Sequence, residues 1–452
     1  MKRNSPNRKA KQRKSRRLQR TVSYRQGLIE AIRKYFPAPF FSRWKLRHGL
    51  LWTPQRLFWM AILMVWSAEQ TLQDRFDAVG QLLASLFPRW KLGTSYTGWY
   101  EAQLAWLEPL QPAAAQRLRQ QMQMLAGPHW LREGWCAFAA DGSRIECPRT
   151  AANQAELGCA GRKKTGPQLF LTTLWHMGLG LPWDYRIGPG TASERRHLEA
   201  MLPELPAAAL LVADAGFTGY DLLDRIQASR RHFLVRVGAN VHLLRKLGYW
   251  EHEDRDTVYL WPDNRQDRPP LVLRLLVLGQ GRRRMHLLTN VLDAKALPPA
   301  AAAALYEMRW GVEVFYRTTK QTLQKRKMLS RTPAAARSEL MWAVLGVWLL
   351  GLMSVGAIVE RGGDPLRWSA AAARRQVRRC MQRAQGQRRP GRTLQDELAA
   401  ALRDDYERTG RKKARDWPHK KREKPPGNPK ITLASKQEIR RAKKVKHKNE
   451  VT

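Results

Sequence analysis

The chain has 452 residues, with 81 Lys and Arg against 38 Asp and Glu and a formal net charge of +43. That surplus excludes the surface of an ordinary small-metabolite enzyme, while 43% hydrophobic residues and 18 Trp exclude a disordered chain. So much positive charge repels itself unless a polyanion neutralises it, which points first to nucleic acid and second to an anionic membrane. Cys136, Cys147, Cys159 and Cys380 form no C-x-x-C pair and match no His-x(3–5)-His, so neither a zinc finger nor a disulfide framework is indicated and a reducing cytosol fits.

Residues 1–23 form a basic arm with no acidic residue before Glu30 and no apolar core behind it, which is not a secretory signal. The arm is expected to be disordered when free and to meet phosphates. Residues 24–130 read as an all-α DNA-binding domain: YRQGLIEAIRKYF, a helix capped by Thr53 with Pro54 at its first position, then TGWYEAQLAWLEPL and AAAQRLRQQMQML, closing at Gly127-Pro128. From Trp135 short β runs alternate with helices. WCAFAAD, PQLFLTTLWHM and LPWDYRI, a helix from Ser193 to Leu202, AALLVAD, YDLLDRIQAS and HFLVRVG give β-β-β-α-β-α-β. This order is that of a ribonuclease-H-like α/β catalytic domain, assigned to 131–362 with a β-rich insertion at about 240–290. One long helix is expected from Pro299 to about Leu329. Leu340 to Val359 holds twenty residues without a charge, long enough to span a bilayer. Gly346, Gly351, Ser354 and Gly356 dilute it and no second span accompanies it, so a buried helix of the α/β core is expected. Residues 363–452 read as a basic helical region followed by a mobile Lys/Pro-rich tail.

Asp141 closes the first apolar strand and Asp214 the fourth, so both carboxylates fall at strand C-termini. Each alone is also a common turn former. If the two strands are adjacent and parallel, the carboxylates share the edge where α/β sheets build their sites. On the helix after Pro299, Tyr306, Arg309, Glu313 and Lys320 fall within an arc of about 60°, with Arg317 and Gln324 on or near it, at ~100° per residue. Leu305, Met308, Val312, Phe315 and Leu323 gather opposite. A solvated face with an incidental Glu313–Arg309 or Glu313–Arg317 pair has the same spacing, and periodicity alone does not separate the two. Gly161-Arg162-Lys163-Lys164 is either a phosphate-contacting loop or a turn that is merely basic. His176, in an apolar strand, reads as a packed histidine.

Tyr306, Arg309, Glu313 and Lys320 complete Y-x(2)-R-x(3)-E-x(6)-K, which resembles the signature of cut-and-paste DDE transposases of the insertion-sequence-four family. Asp141-Gly-Ser and Asp214-Ala-Gly-Phe217 resemble that family's two upstream motifs, and the resemblance covers about Trp135 to Leu329. It implies a transposase that binds the ends of an insertion sequence and catalyses metal-dependent DNA cleavage and strand transfer. Asp141, Asp214 and Glu313 would be both catalytic residues and ligands of two Mg²⁺ ions, Asp141 bridging them, with Mn²⁺ able to substitute. Tyr306, Arg309 and Lys320, with Arg317, Arg162, Lys163 and Lys164, would hold DNA. The implied partners are double-stranded DNA, as end repeats and target, and a second copy of the chain in the synaptic complex; no membrane is expected, and the place is the cytoplasm, on the nucleoid. No counterpart is assigned for the family's base-stacking tryptophan, although Trp261 lies in the insertion. Two other readings stand beside this one: a catalytically inactive DNA-binding derivative acting as a repressor, and a polybasic protein anchored in a membrane by residues 340–359.

Overall fold

Hydroxyl side chains set the helix starts. Thr53, Thr71, Ser95, Thr150, Ser193, Thr332 and Ser369 each accept the backbone N–H three residues on, satisfying a donor that the first turn leaves orphaned. The computed structural model describes residues 21–159, 166–281, 284–384, 388–390, 393–404 and 427–451. Residues 1–20 of the basic arm, Arg162, Lys163 and Lys164, and most of the Lys/Pro-rich stretch lie outside them.

In chain order the elements are β1 (Thr21–Ser23), α1 (Tyr24–Tyr35), α2 (Pro54–Trp66), α3 (Leu72–Leu86), α4 (Tyr96–Ala126), β2 (Ala137–Glu146), α5 (Ala151–Leu157), β3 (Gln168–His176), β4 (Leu181–Pro189), α6 (Glu194–Met201), β5 (Leu210–Ala213), α7 (Tyr220–Ala228) and β6 (His232–Val237). There follow β7 (His242–Arg245), β8 (Thr257–Leu260), β9 (Leu271–Leu278), β10 (Met285–Thr289), α8 (Pro299–Met308), α9 (Trp310–Arg317), α10 (Pro333–Val359), α11 (Ala370–Arg383), β11 (Arg388–Pro390), α12 (Leu394–Ala399), β12 (Lys430–Leu433) and α13 (Lys436–Val451). Their described residues fall in two compact units, one within 21–127, 145–169 and 317–404, the other within 128–144, 170–316 and 427–451, so the chain passes between them five times.

The first unit is helical and is organised around α10. This helix is long and apolar enough to cross a membrane by length and composition, yet 94% of its most apolar window is buried inside the unit. The expectation that it lies in the core of the α/β domain is corrected: it packs against α1, α2, α4, α5, α11 and α12. Its glycines are the contact points. A Cβ on Gly346 would come 2.7 Å from Val65 Cγ1, and one on Gly356 would come 2.5 Å from the Tyr35 hydroxyl. Because these side chains lie directly against the α10 backbone, Trp66 Nε1 donates to the Gly346 carbonyl (3.0 Å) and Tyr35 Oη to that of Leu352 (3.1 Å). The Arg-rich helix α11 also turns part of its charge inward: Arg378 Nε donates to Trp66 O (2.7 Å) and Arg374 Nη2 to Ser67 O (3.3 Å), where α2 leaves its last carbonyls unsatisfied. Lys325 and Glu339 form a buried ion pair (2.5 Å) whose side chains are 4% and 7% exposed. Glu339 Oε2 further accepts the N–H groups of Leu329 and Ser330 (2.9 Å each) and the Ser330 hydroxyl (2.8 Å), so its desolvated charge is fully bonded.

The second unit is built on a ten-stranded sheet of order β12-β7-β8-β9-β10-β6-β5-β2-β3-β4. Strands β2, β5 and β6 run parallel, while β6 through β10 and on through β9, β8 and β7 pair antiparallel. The β-rich segment at 240–290 extends the same sheet outward from β6. Residues 427–451 also depart from the mobile tail expected of them. β12 hydrogen-bonds in parallel to β7, and α13 follows it.

Candidate active site

In the parallel pair of β2 and β5, Ala137 stands opposite Leu210 and Ala140 opposite Ala213. The next residue on each side is a carboxylate, Asp141 and Asp214. β5 stops at Ala213, and Asp214 caps a short turn by accepting the Gly216 N–H on Oδ1 (2.8 Å). Asp141 departs from its expected place at a strand end. β2 runs on to Glu146 because its other neighbour, β3, continues alongside, so Asp141 lies within the strand and accepts the Gly142 N–H (2.8 Å).

The expected single helix after Pro299 is three pieces. α8 ends at Met308, α9 runs from Trp310 to Arg317, and Thr318–Thr322 form a π-helical turn in which Leu323 N–H reaches back to Thr318 O (3.1 Å). An i→i−5 turn inserts a residue into the phase of the helix, so the 100° arithmetic that placed Lys320 on one face with Glu313 fails there. Arg317 and Lys320 belong to the helical unit; Tyr306, Arg309 and Glu313 share the sheet unit with the two aspartates.

Two contacts press α9 onto the sheet. A Cβ on Gly311 would meet Trp175 Nε1 of β3 at 2.9 Å, and the Phe315 and Trp175 rings stand 5.3 Å apart. Tyr316, fully buried, donates its hydroxyl to the backbone carbonyl of Asp141 at 2.6 Å and approaches Leu171 O at 3.4 Å. The helix that carries Glu313 is thus tied to the strand position that carries Asp141. Tyr316 escaped the sequence reading because an aromatic residue on an amphipathic helix looks like core, and its polar handle shows only in three dimensions.

Burial pushes the Asp141 carboxyl up to about 7, with Asp214 and Glu313 adding to the effect and the Gly142 N–H and Arg309 opposing it. Arg309 is the counter-charge. Its Nη2 lies 3.1 Å from Glu313 Oε1, its guanidinium sits 5.5 Å from the centroid of the Tyr306 ring, and its side chain is 12% exposed. Burial works against that charge, but Tyr306, Glu313, Asp141 and Asp214 more than offset it, and its pKa is raised. The Glu313–Arg309 i,i+4 pair, which spacing alone left open, is therefore formed, with Asp141 and Asp214 near enough to act on the same guanidinium.

A fourth carboxylate, Glu194 at the start of α6, was missed. A Cβ on Gly216 would meet Glu194 Oε1 at 2.7 Å and Asp214 Oδ1 at 3.0 Å, and a Cβ on Gly142 would meet Glu194 Oε2 at 3.0 Å. Glu194 thus lies against both glycines that follow the aspartates. Burial raises its pKa, as does Asp214, against Arg144 and Arg195. Nothing in the sequence but Ser193-Glu194 at a helix start hinted at it.

Among the described residues no three His, Cys, Asp or Glu side chains are close enough together to hold a metal ion. The chemistry of the donor set nonetheless suits a hard divalent cation: the donors are carboxylate oxygens, and a carboxyl raised to about 7 by burial, with neighbouring carboxylates adding to the effect, is what a cation would reverse. His176 has the packed role expected. It is wholly buried, stacks on Trp130 (4.6 Å), accepts the Leu179 N–H and is held down to about 3 by burial. Trp261 is 3% exposed and donates to Arg268 O (2.8 Å), which leaves its ring no open face.

Residues 134–350 match the family model of the transposase DDE domain. The chain is 29% identical over 231 residues to the transposase InsG for insertion sequence element IS4 of Escherichia coli (strain K12), a match covering 48% of this chain and 51% of that protein. It is 30% identical over 155 residues to y4zB of Sinorhizobium fredii (strain NBRC 101917 / NGR234), described as a transposase, covering 32% of this chain and 43% of that one. The chain thus spans about half the length of the curated relatives it matches. Among solved structures, a cryo-EM piggyBac transposase synaptic complex with hairpin DNA aligns over 85% of this chain and 87% of that one, at 11% identity and a TM-score of 0.41, too low to imply a common fold.

Proposed function

We propose, from the match of residues 134–350 to the transposase DDE domain model and the likeness to the transposase of insertion sequence element IS4, that this chain cuts and rejoins DNA at the ends of an insertion sequence. The observation that carries the reading is the register of β2 and β5, which sets Asp141 beside Asp214, together with the Tyr316 bond that ties the helix of Glu313 to Asp141. We assign the five strands β4-β3-β2-β5-β6 with α6 and α7 to a ribonuclease-H-like catalytic core, residues 24–130 to DNA binding, and the working form to a dimer acting on the nucleoid in the cytoplasm.

Hydrolysing a phosphodiester and joining the new 3′-OH to another strand are both in-line displacements that build charge on the attacking and leaving oxygens. DDE transposases generally use divalent metal ions; when bound, such ions stabilise that charge and lower the pKa of attacking water, and Asp141, Asp214 and Glu313 would hold them. The other residues act directly. Arg309, already poised among the carboxylates, offers a planar fork to a phosphate. Tyr306 backs that guanidinium. Tyr316 fixes the helix against the strand, so that Glu313 and Asp141 keep one geometry between successive steps. Asp141 must be ionised to take part, and the burial that raises its carboxyl in the metal-free protein is what a bound cation would oppose.

The test is a labelled duplex ending in the element's terminal repeat, incubated with the protein and Mg²⁺. Asp141→Ala, Asp214→Ala and Glu313→Ala should each abolish nicking and leave duplex binding within about twofold, since affinity comes mainly from Lys and Arg. Full cleavage in EDTA, or near-normal turnover by Asp214→Ala, would overturn the assignment. Tight binding with no cleavage by the parent would favour a DNA-binding repressor.

A further inference from the structure

The sheet unit ends in a folded, one-sided cationic helix. β12 is hydrogen-bonded along β7, with Lys430 N–H on Val241 O (2.9 Å) and Ala434 N–H on Arg245 O (2.8 Å). Ser435 and Glu438 then cap α13 reciprocally: the Glu438 N–H bonds Ser435 Oγ (3.2 Å) and the Ser435 N–H bonds Glu438 Oε2 (2.7 Å). The helix is seated by Ala442, which is wholly buried, by Arg441 on Gln266, and by Lys446 Nζ on Glu251 Oε1 (2.9 Å).

At roughly 100° per residue, Lys443, Lys436, Arg440 and Lys444 fall within an arc of about 100°. All four are exposed. Glu438, Ile439, Ala442, Val445 and Lys446 take the other half and are partly or fully buried. Like charges stand at i,i+4 in Lys436–Arg440 and Arg440–Lys444, an arrangement that opposes the helix unless an anion lies across it. A solubilising helix would mix acids among its exposed cations; here Lys436, Arg440, Lys443 and Lys444 share one face, while Arg441 and Lys446 are drawn off it to Gln266 and Glu251. Four cations spread over roughly 12 Å of helix face a duplex that carries one negative charge per ~1.7 Å of its axis.

We propose that the exposed face of α13 seats the phosphate backbone of duplex DNA, without reading sequence, as a binding surface of the sheet unit itself. The inference rests on the reading of DNA as substrate. It adds that the C-terminal segment binds as a pre-folded helix, with no ordering cost on contact.

The experiment is a salt titration of full-length protein on a duplex that lacks terminal repeats, with chelator present so that no cutting intervenes. The variant carries Lys436→Gln, Arg440→Gln, Lys443→Gln and Lys444→Gln. A control carries four substitutions at exposed cations elsewhere in the same unit, Arg230→Gln, Lys246→Gln, Arg255→Gln and Lys295→Gln. Circular dichroism should match the parent in both. The slope of log K against log salt should flatten by about 3.6 in the α13 variant, at ~0.9 per phosphate contact, and by much less in the control. An unchanged slope in the α13 variant, or an equal loss in the control, overturns the inference. So does loss of binding to anionic vesicles by the α13 variant while duplex binding stands, which would make the face a membrane surface. A parent that binds no duplex at all sinks the transposase reading as well; a parent that binds and a variant that binds alike sinks only α13.

Discussion

Replacing Asp141 by Asn should stabilise the metal-free protein at alkaline pH and leave it nearly unchanged in acid. The carboxyl has a folded-state pKa of about 7 against an ordinary 3.8, so its proton stays on to much higher pH in the folded state than in the unfolded one. The sign follows from linkage. A raised folded pKa means a contribution fully present below about 3.8 and lost progressively as pH climbs to about 7, because the unfolded chain ionises first. At ~1.4 kcal/mol per pH unit across that span, the folded state forfeits on the order of 4 kcal/mol by pH 8. Asn has nearly the same shape, can still accept the Gly142 N–H and never ionises. It should therefore recover most of that energy at pH 8 and little at pH 4. The assay is hydrogen exchange at the amides of β2 and β5, corrected for intrinsic rates, in chelator at pH 5 and pH 8, since local opening of those strands reports the unit without requiring the whole chain to unfold as one. Equal protection of parent and variant at pH 8, or a gain that is larger at pH 5, would refute burial as the source of the raised pKa.

Tyr316→Phe removes one hydroxyl and strands the Asp141 carbonyl; it should cost about 1–2 kcal/mol by chemical denaturation and slow nicking roughly 10- to 100-fold with duplex affinity unchanged, whereas parent-like nicking would show that the bond does not position Glu313. Arg309→Lys keeps the charge but loses the fork, so nicking should fall by about tenfold or more in a time course on a labelled end; a rate equal to the parent's would mean that charge alone suffices there. Glu339→Gln leaves the Lys325 ammonium buried without its partner and should destabilise the helical unit by roughly 3 kcal/mol, read as faster tryptic cleavage at the exposed Arg326 and Lys327; unchanged digestion would mean that the segment is held by other contacts.

Local signals carried far in this chain. The Thr53 cap, the apolar run of β3 and the short run before Asp214 all state their structure in a few neighbouring residues, and each forms where its pattern places it. What failed was whatever depends on a partner distant in sequence. β2 does not stop at Asp141 because β3 runs alongside it. α10 reads as core for an α/β sheet, but the surfaces its glycines fit belong to α1 and α2, some three hundred residues earlier. Periodicity assumes an unbroken helix and so missed the interruption at Arg309 and the π turn before Leu323. Within the candidate site, two aspartates and a glutamate were legible from motif spacing. Glu194 was not, because its place beside Gly142 and Gly216 arises only when β2, the turn after β5 and the start of α6 come together.

The five passages of the chain between the two units bear on how the protein is made. Neither unit is a contiguous stretch, so neither can be exchanged, excised or expressed as a simple fragment. α2 and α4 leave the ribosome early, yet α10, against which they bury their apolar faces, is completed only at Val359. At 5–20 residues per second this interval lasts roughly 15–60 s for α2, during which the surface that PQRLFWMAILMVW turns toward α10 has no partner. A chain that terminates before α10 should therefore accumulate as aggregate, and the intact chain should depend on chaperones and slow, cool expression far more than its final burial of apolar surface suggests.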